Sequence, residues 1–174
     1  MSQLDPVLLD SLQQQITRER QNEAVYLAVA HRFDVLNLTG FAAWSRKAAR
    51  EEAEHAQRFA DYVIDRNAAP QVQPLGGVIP PIPLDMLSAP ALLVAVALQT
   101  EINNTESIKT LYSLAEEADD PQTCVWLIWA IEEQTSAERE LTTLLARCKL
   151  AENDAAAVLQ LDRELGARHA VSRG

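Results

Sequence analysis

Apolar residues recur along most of the chain at alternating intervals of three and four, the spacing that lines one face of an α-helix. The first stripe is Leu9, Leu12, Ile16, Glu19, Glu23, Tyr26, Ala30 and Phe33. It predicts a helix over about 5–35, with Asp5 as cap and Pro6 at the first helical position. Asn37-Leu-Thr-Gly40 reads as a short turn, so a second helix over about 40–67 should return antiparallel. Its stripe is Phe41, Ala48, Glu52, His55, Phe59 and Tyr62. A third helix is expected over about 91–118, on Val94, Leu98, Glu101, Thr105, Ile108 and Tyr112. A fourth is expected over about 122–149, on Ala130, Gln134, Ala137, Leu141, Leu144 and Cys148. A short fifth helix follows at about 155–168.

Residues 68–90 break this pattern. Pro70, Pro74, Pro80, Pro81, Pro83 and Pro90 fall there with Gly76-Gly77, which excludes helix. So long a connection suits a crossover running the length of a four-helix bundle, which makes the third helix parallel to the second. Its Leu75, Val78, Ile79 and Ile82 are expected to pack on a surface, such as another subunit.

Composition narrows the class. Apolar residues make up 48% of the chain and glycines number only 5, while β-branched residues form no alternating runs. The fold class is therefore all-α, and 174 residues suit one domain. The formal charge of −10 argues against nucleic-acid binding, which needs Lys and Arg to neutralise phosphates, and is compatible with collecting cations. Cys124 and Cys148 lack the spacing and histidine neighbours of zinc ligands and read as small buried thiols. The opening MSQLDPVLLD has no signal-peptide pattern. The apolar run Ala89–Leu98 is too short to span a bilayer. A cytoplasmic protein without membrane partners is expected.

The chemistry lies where polar residues interrupt the stripes. Arg50–His55 reads REEAEH, and it sets Glu52 and His55 one turn apart on a single helix face. Helix bundles use Glu-x-x-His to hold iron or manganese, although one such pair is ordinary on a solvated face. Here the inner seams of the other helices add Glu19, Glu101 and Gln134, all near mid-helix. Clustered buried carboxylates repel or take up protons unless a cation joins them, and no Lys or Arg interrupts the seams at these levels. A metal site follows. Glu23 is expected at the edge of its stripe, in water. Glu51 and Glu54 flank the second seam, and Glu133 lies beside Gln134.

These residues resemble the non-haem ferritins across nearly the whole chain. REEAEHAQRF is similar to that family's second-helix signature. ALQTEINNTESIKTLYSLAEEADDP (97–121) is similar to its third helix and turn, Glu132-Glu-Gln134 to its fourth-helix motif, and VLQLDREL (158–165) to its short fifth helix. The resemblance implies a ferritin-like four-helix bundle with a long crossover, a homo-oligomeric cage of 24 subunits, and ferroxidase chemistry with Fe(II) and dioxygen as substrates. It also implies the ligand set. Glu19, Glu52 and His55 would hold a first iron; a bridging Glu52 and Glu101 would hold a second, with Gln134 beside it. Tyr26 matches the family's nearby tyrosine.

Departures sharpen the expectation. In the related bacterioferritins the fourth helix carries a second Glu-x-x-His; here those positions are Gln134 and Ala137. The haem-binding methionine after the bridging glutamate is replaced by Ala53, and the only methionines are Met1 and Met86, so no haem is expected. Ala137 also replaces a glutamate used for a third iron, leaving Glu51 and Glu133 for any such site. At the start of the fourth helix, where channel carboxylates are common, the chain reads Cys-Val-Trp-Leu-Ile-Trp (124–129), which puts the usual threefold iron entry in doubt. Two rival readings are a discrete di-iron oxidase or hydroxylase, and a mini-ferritin-like protective or scaffold protein. The missing second histidine argues against the first. The intra-bundle ligand set and the fifth helix argue against the second.

Overall fold

The computed structural model describes residues 4–71, 73, 75 and 88–170, with side chains through 168. Five helices follow in order: α1 Pro6–Val35, α2 Thr39–Asp65, α3 Ala89–Glu117, α4 Pro121–Leu150 and α5 Ala155–Ala170. Local chemistry sets most of their ends. Asp5 caps α1, its Oδ1 accepting from the N–H groups of Val7 (2.9 Å) and Leu8 (3.2 Å). Asp120 caps α4 through the N–H of Thr123 (3.0 Å), and both caps precede a proline. Replacing Asp5 with Ala should cost about 1 kcal/mol, read as a lower midpoint in urea unfolding with an unchanged slope.

The first three helices end alike. Asn37, Asn67 and Asp119 take φ values of 57°, 59° and 51°. In each case the next residue's N–H reaches back into the last turn: Leu38 to Phe33, Ala68 to Val63 and Asp120 to Ala115, each at 3.0 Å. This is the Schellman arrangement with Asn or Asp where glycine is commoner, and both tolerate the left-handed conformation. The turn after α1 is thus tighter than the sequence suggests, and Thr39 and Gly40 already belong to α2.

Cross-helix pairings give the topology. Between α1 and α3, Gln15 meets Ser107 while Tyr26 meets Glu101, so these helices are antiparallel. Between α1 and α2, Asn22 meets Glu52 and the Tyr26 carbonyl meets Ser45, again antiparallel. Accordingly α2 and α3 run parallel, as a crossover requires. The crossover largely falls outside the described residues, Val78, Ile79 and Ile82 among them. Leu75 is described and is exposed.

Two apolar clusters fill the ends of the bundle. One gathers Leu8, Leu12, Ile16, Phe59, Ile108, Leu111 and Leu127. The other gathers Phe33, Phe41, Trp44, Leu93, Leu141 and Leu144 with Val158, Leu161 and Leu165 of α5. Buried polar residues from all four long helices lie between them in sequence: Glu19, Asn22, Glu52, Glu101, Asn104 and Gln134. The seams are turned slightly from the predicted stripes. Leu8 rather than Leu9 is buried in α1, and Asn104 and Leu111 rather than Thr105 and Tyr112 in α3. Among the described residues, no helix is long and apolar enough to cross a membrane.

At the far end of α2, Arg66 is buried and donates to Asp120 (2.7 Å), the Tyr62 hydroxyl (2.7 Å) and Thr123 (2.9 Å). It binds the end of α2 to the cap of α4, and its guanidinium holds the Asp120 carboxyl below the usual range.

Candidate metal centre

Glu19 of α1 and Glu52 and His55 of α2 bring one ligand atom each within 4.8 Å of one another. Glu19 and Glu52 are buried and His55 is partly so. His55 Nδ1 lies 3.9 Å from Glu52 Oε2. Glu52 interacts with both Glu19 and Glu101. Glu101 accepts from the Tyr26 hydroxyl at 2.6 Å and from Gln134 Nε2 at 3.2 Å. The five seam residues and Tyr26 are therefore all brought together.

The surroundings prepare three carboxylates with few of the groups that would settle their charge. Burial, followed by the charge of Glu52, pushes the Glu19 carboxyl well above its ordinary range. Burial and the neighbouring Glu101 raise Glu52 to about 8. Burial raises Glu101 as well, against hydrogen bonds from Tyr26 and Gln134. Tyr26 is pushed up by burial and by the carboxylate it faces, so it stays a phenol that donates. No lysine or arginine reaches these three carboxylates among the described residues; their hydrogen-bond partners are neutral amides and a phenol. A cation would relieve all three at once.

A layer of amides holds the cluster in place, and the stripe pattern did not single it out. Gln15 Nε2 donates to Glu19 (2.5 Å) and to Asn104 Oδ1 (2.7 Å), while its own carbonyl accepts from Ser107 (2.7 Å). Asn104 also donates to Glu19 (3.3 Å) and Asn22 to Glu52 (3.4 Å). Thr105 donates to Gln134 Oε1 at 3.0 Å. A signal existed: Gln15, Asn22 and Asn104 stand three or four residues from Glu19 or Glu101, on the same helix faces. Such partners orient ligands and are commonly worth about 10–100-fold in metal affinity.

A cavity of about 130 Å³ connects the cluster with the surface between α2 and α4, where Ala48 and Ala137 leave the space open. Glu51, Glu133 and Glu140 line its mouth. Glu51 is ion-paired with Lys47, which lines the same mouth, while Glu133 is exposed. Glu23 is half-exposed and paired with Arg20 (3.0 Å), at the edge of the seam as expected. The aromatic start of α4 turns inward: Trp126 stacks on Tyr62 at 4.0 Å, and Trp129 lies 5.5 Å from both His55 and Phe59. Val125 and Ile128 of the same stretch are exposed.

Comparison with known proteins agrees with this architecture. Residues 9–151 match the family described as the ferritin-like domain. The bacterial non-heme ferritin of Bacteroides fragilis is 26% identical over 161 residues, covering 92% of this chain and 97% of that protein. That of Staphylococcus aureus is 27% identical over 168 residues, covering 92% and 94%. Among solved structures, the open pore ferritin of the hyperthermophilic archaeon Archaeoglobus fulgidus superposes with a TM-score of 0.89 at 26% identity, covering 95% of this chain and 98% of that one. Ferritin from the green alga Ulva pertusa gives 0.87 at 25% identity, covering 94% and 85%.

Proposed function

Because the chain belongs to the ferritin family, we propose that it oxidises Fe(II) with dioxygen at the four-helix centre and stores the ferric product inside a homo-oligomeric cage of 24 copies. The observation that carries this reading is the buried triad Glu19, Glu52 and Glu101, drawn from three helices and joined by His55 and Gln134 of the same layer. Apolar residues there would serve stability better.

Each Fe(II) gives up one electron, and dioxygen takes the pair with two protons. The residues divide the work. Glu19, Glu52 and His55 bind the first ion; Glu52 is shared with the second, which Glu101 holds with Gln134 beside it. Tyr26 orients Glu101 through its donated proton. The amide layer keeps the carboxylates aimed inward when no cation holds them. Two Fe(II) bring four positive charges against three carboxylates, since the imidazole and the amide are neutral. Bundles that retain iron as a cofactor supply a fourth carboxylate and a second histidine. The poorer donor set here favours iron as a passing substrate, and the carboxylate-lined mouth gives it a way in or out.

Size-exclusion chromatography combined with aerobic Fe(II) loading tests the reading. A cage that takes up iron well beyond two ions per subunit is expected. A dimer that keeps a fixed two ions would overturn it.

A further inference from the structure

The metal cavity is not the only one that Gln134 lines. A second pocket of about 270 Å³ opens between α3 and α4, built by Thr105, Ile108, Tyr112, Ile131, Gln134 and Thr135 among others. Among the described residues, Gln134 alone borders both. Its amide is held in the dividing wall: Nε2 donates to Glu101 at 3.2 Å on one side, and Oε1 accepts from Thr105 at 3.0 Å on the other. The chemistry of the two spaces differs. The first is ringed by carboxylates and suits hydrated cations. The second takes most of its wall area from Ile108, Ile131 and Tyr112, with Lys109, Ser113 and Thr135 also in its lining, and no carboxylate lines it among the described residues.

We propose that the α3–α4 pocket is a binding site for dioxygen, which passes from it to the metal centre at the Gln134 wall. The inference rests on the Fe(II) oxidation proposed above and adds to it separate approaches for the two reactants. Dioxygen is small, neutral and apolar, so it partitions away from a carboxylate cavity crowded with cations and their water. Apolar cavities take up xenon, and Gln134, buried between the two spaces, is the side chain they share.

Xenon is the probe. Crystals of the iron-free protein pressurised with xenon should show the gas against Ile108, Ile131 and Tyr112, and Ile131→Trp should displace it. In stopped-flow oxidation the same variant should raise KM for dioxygen about tenfold, with kcat at saturating dioxygen and anaerobic Fe(II) stoichiometry kept. Thr135→Trp, at an exposed rim position, gives the same shift without touching the core. The proposal is overturned if xenon binds elsewhere, if a neighbouring subunit's side chain fills the pocket, or if both variants keep the wild-type KM. Wild-type protein that binds xenon there but oxidises no Fe(II) would instead overturn the ferroxidase reading and, with it, the role given to the gas.

Discussion

Glu52→Gln should lose aerobic Fe(II) oxidation and, at the same time, make the metal-free protein more stable at neutral pH. The loss follows from position. Glu52 interacts with both Glu19 and Glu101 and lies within reach of His55, so in the proposed centre its removal would strip a charged ligand from both ions. Changes to the partners of ligands cost about 10–100-fold, and loss of the shared ligand should exceed about 100-fold in initial rate. Oxidation by the variant at the wild-type rate would refute the assignment.

The gain in stability follows from the same burial. In the folded protein Glu52 titrates near 8 rather than 4.5, so between those values the native state holds a proton that the unfolded chain has released. Stability is therefore highest below about pH 4.5 as far as this group is concerned, and falls as pH rises to about 8. Glu19 and Glu101 are displaced in the same direction. At about 1.4 kcal/mol for each tenfold change in proton affinity, Glu52 alone contributes a loss on the order of 3–5 kcal/mol. Unfolding of metal-free protein between pH 5 and 8.5, within the window those values define, should show the decline in wild type and a flatter profile in Glu52→Gln. Zn(II) should restore the wild type at pH 8 by replacing protons with a cation. A flat wild-type profile would mean the carboxylates are not buried together.

The second large effect is expected far from the metal. Gly40→Ala should detach α5 or destabilise the fold by about 2–4 kcal/mol. A Cβ at Gly40 would sit 1.7 Å from the backbone oxygen of Asp162 and 2.8 Å from the backbone nitrogen of Gly166. Both neighbours are main chain, so neither can swing aside. Here α2 and α5 meet backbone to backbone, and Asp162 accepts from the N–H of Phe41 at 2.9 Å. That bond satisfies a free donor in the first turn of α2, where no side chain of the cap does so. Faster proteolysis within α5, together with a lower melting temperature, would report the detachment. A variant with unchanged melting temperature and protease resistance would show that the helices do not approach this closely.

Much of this was legible because it is local. Asp5-Pro6 and the proline-rich 68–90 announced where helices begin or stop, through capping and backbone sterics that need no partner. The carboxylates stood out because each broke an otherwise apolar stripe, and a charge on a buried face needs a reason. The amide layer was less legible. Gln15, Asn22 and Asn104 lie on the seams too, but a neutral amide at one edge of a stripe looks the same whether it faces water or a ligand. The close approach at Gly40 left no mark in the sequence, since a helical glycine gives no local sign of the chain that will lie against it.

The sequence by itself determined five helices, the approximate inward face of the four long ones, and that Glu19, Glu52, His55, Glu101 and Gln134 lie on those faces. Periodicity carries that much because it measures an angle around one axis. Only the tertiary structure decided how the axes are turned and staggered against one another, which packing sets through contacts distant in sequence. That rotation put Leu8 and Leu111 in the core and placed Glu52 between two other carboxylates, raising it to about 8. It also stood Gln134 between a polar cavity and an apolar one. The pattern along the chain named the polar seam residues; their mutual distances, and so their charge, came from how four helices fit together.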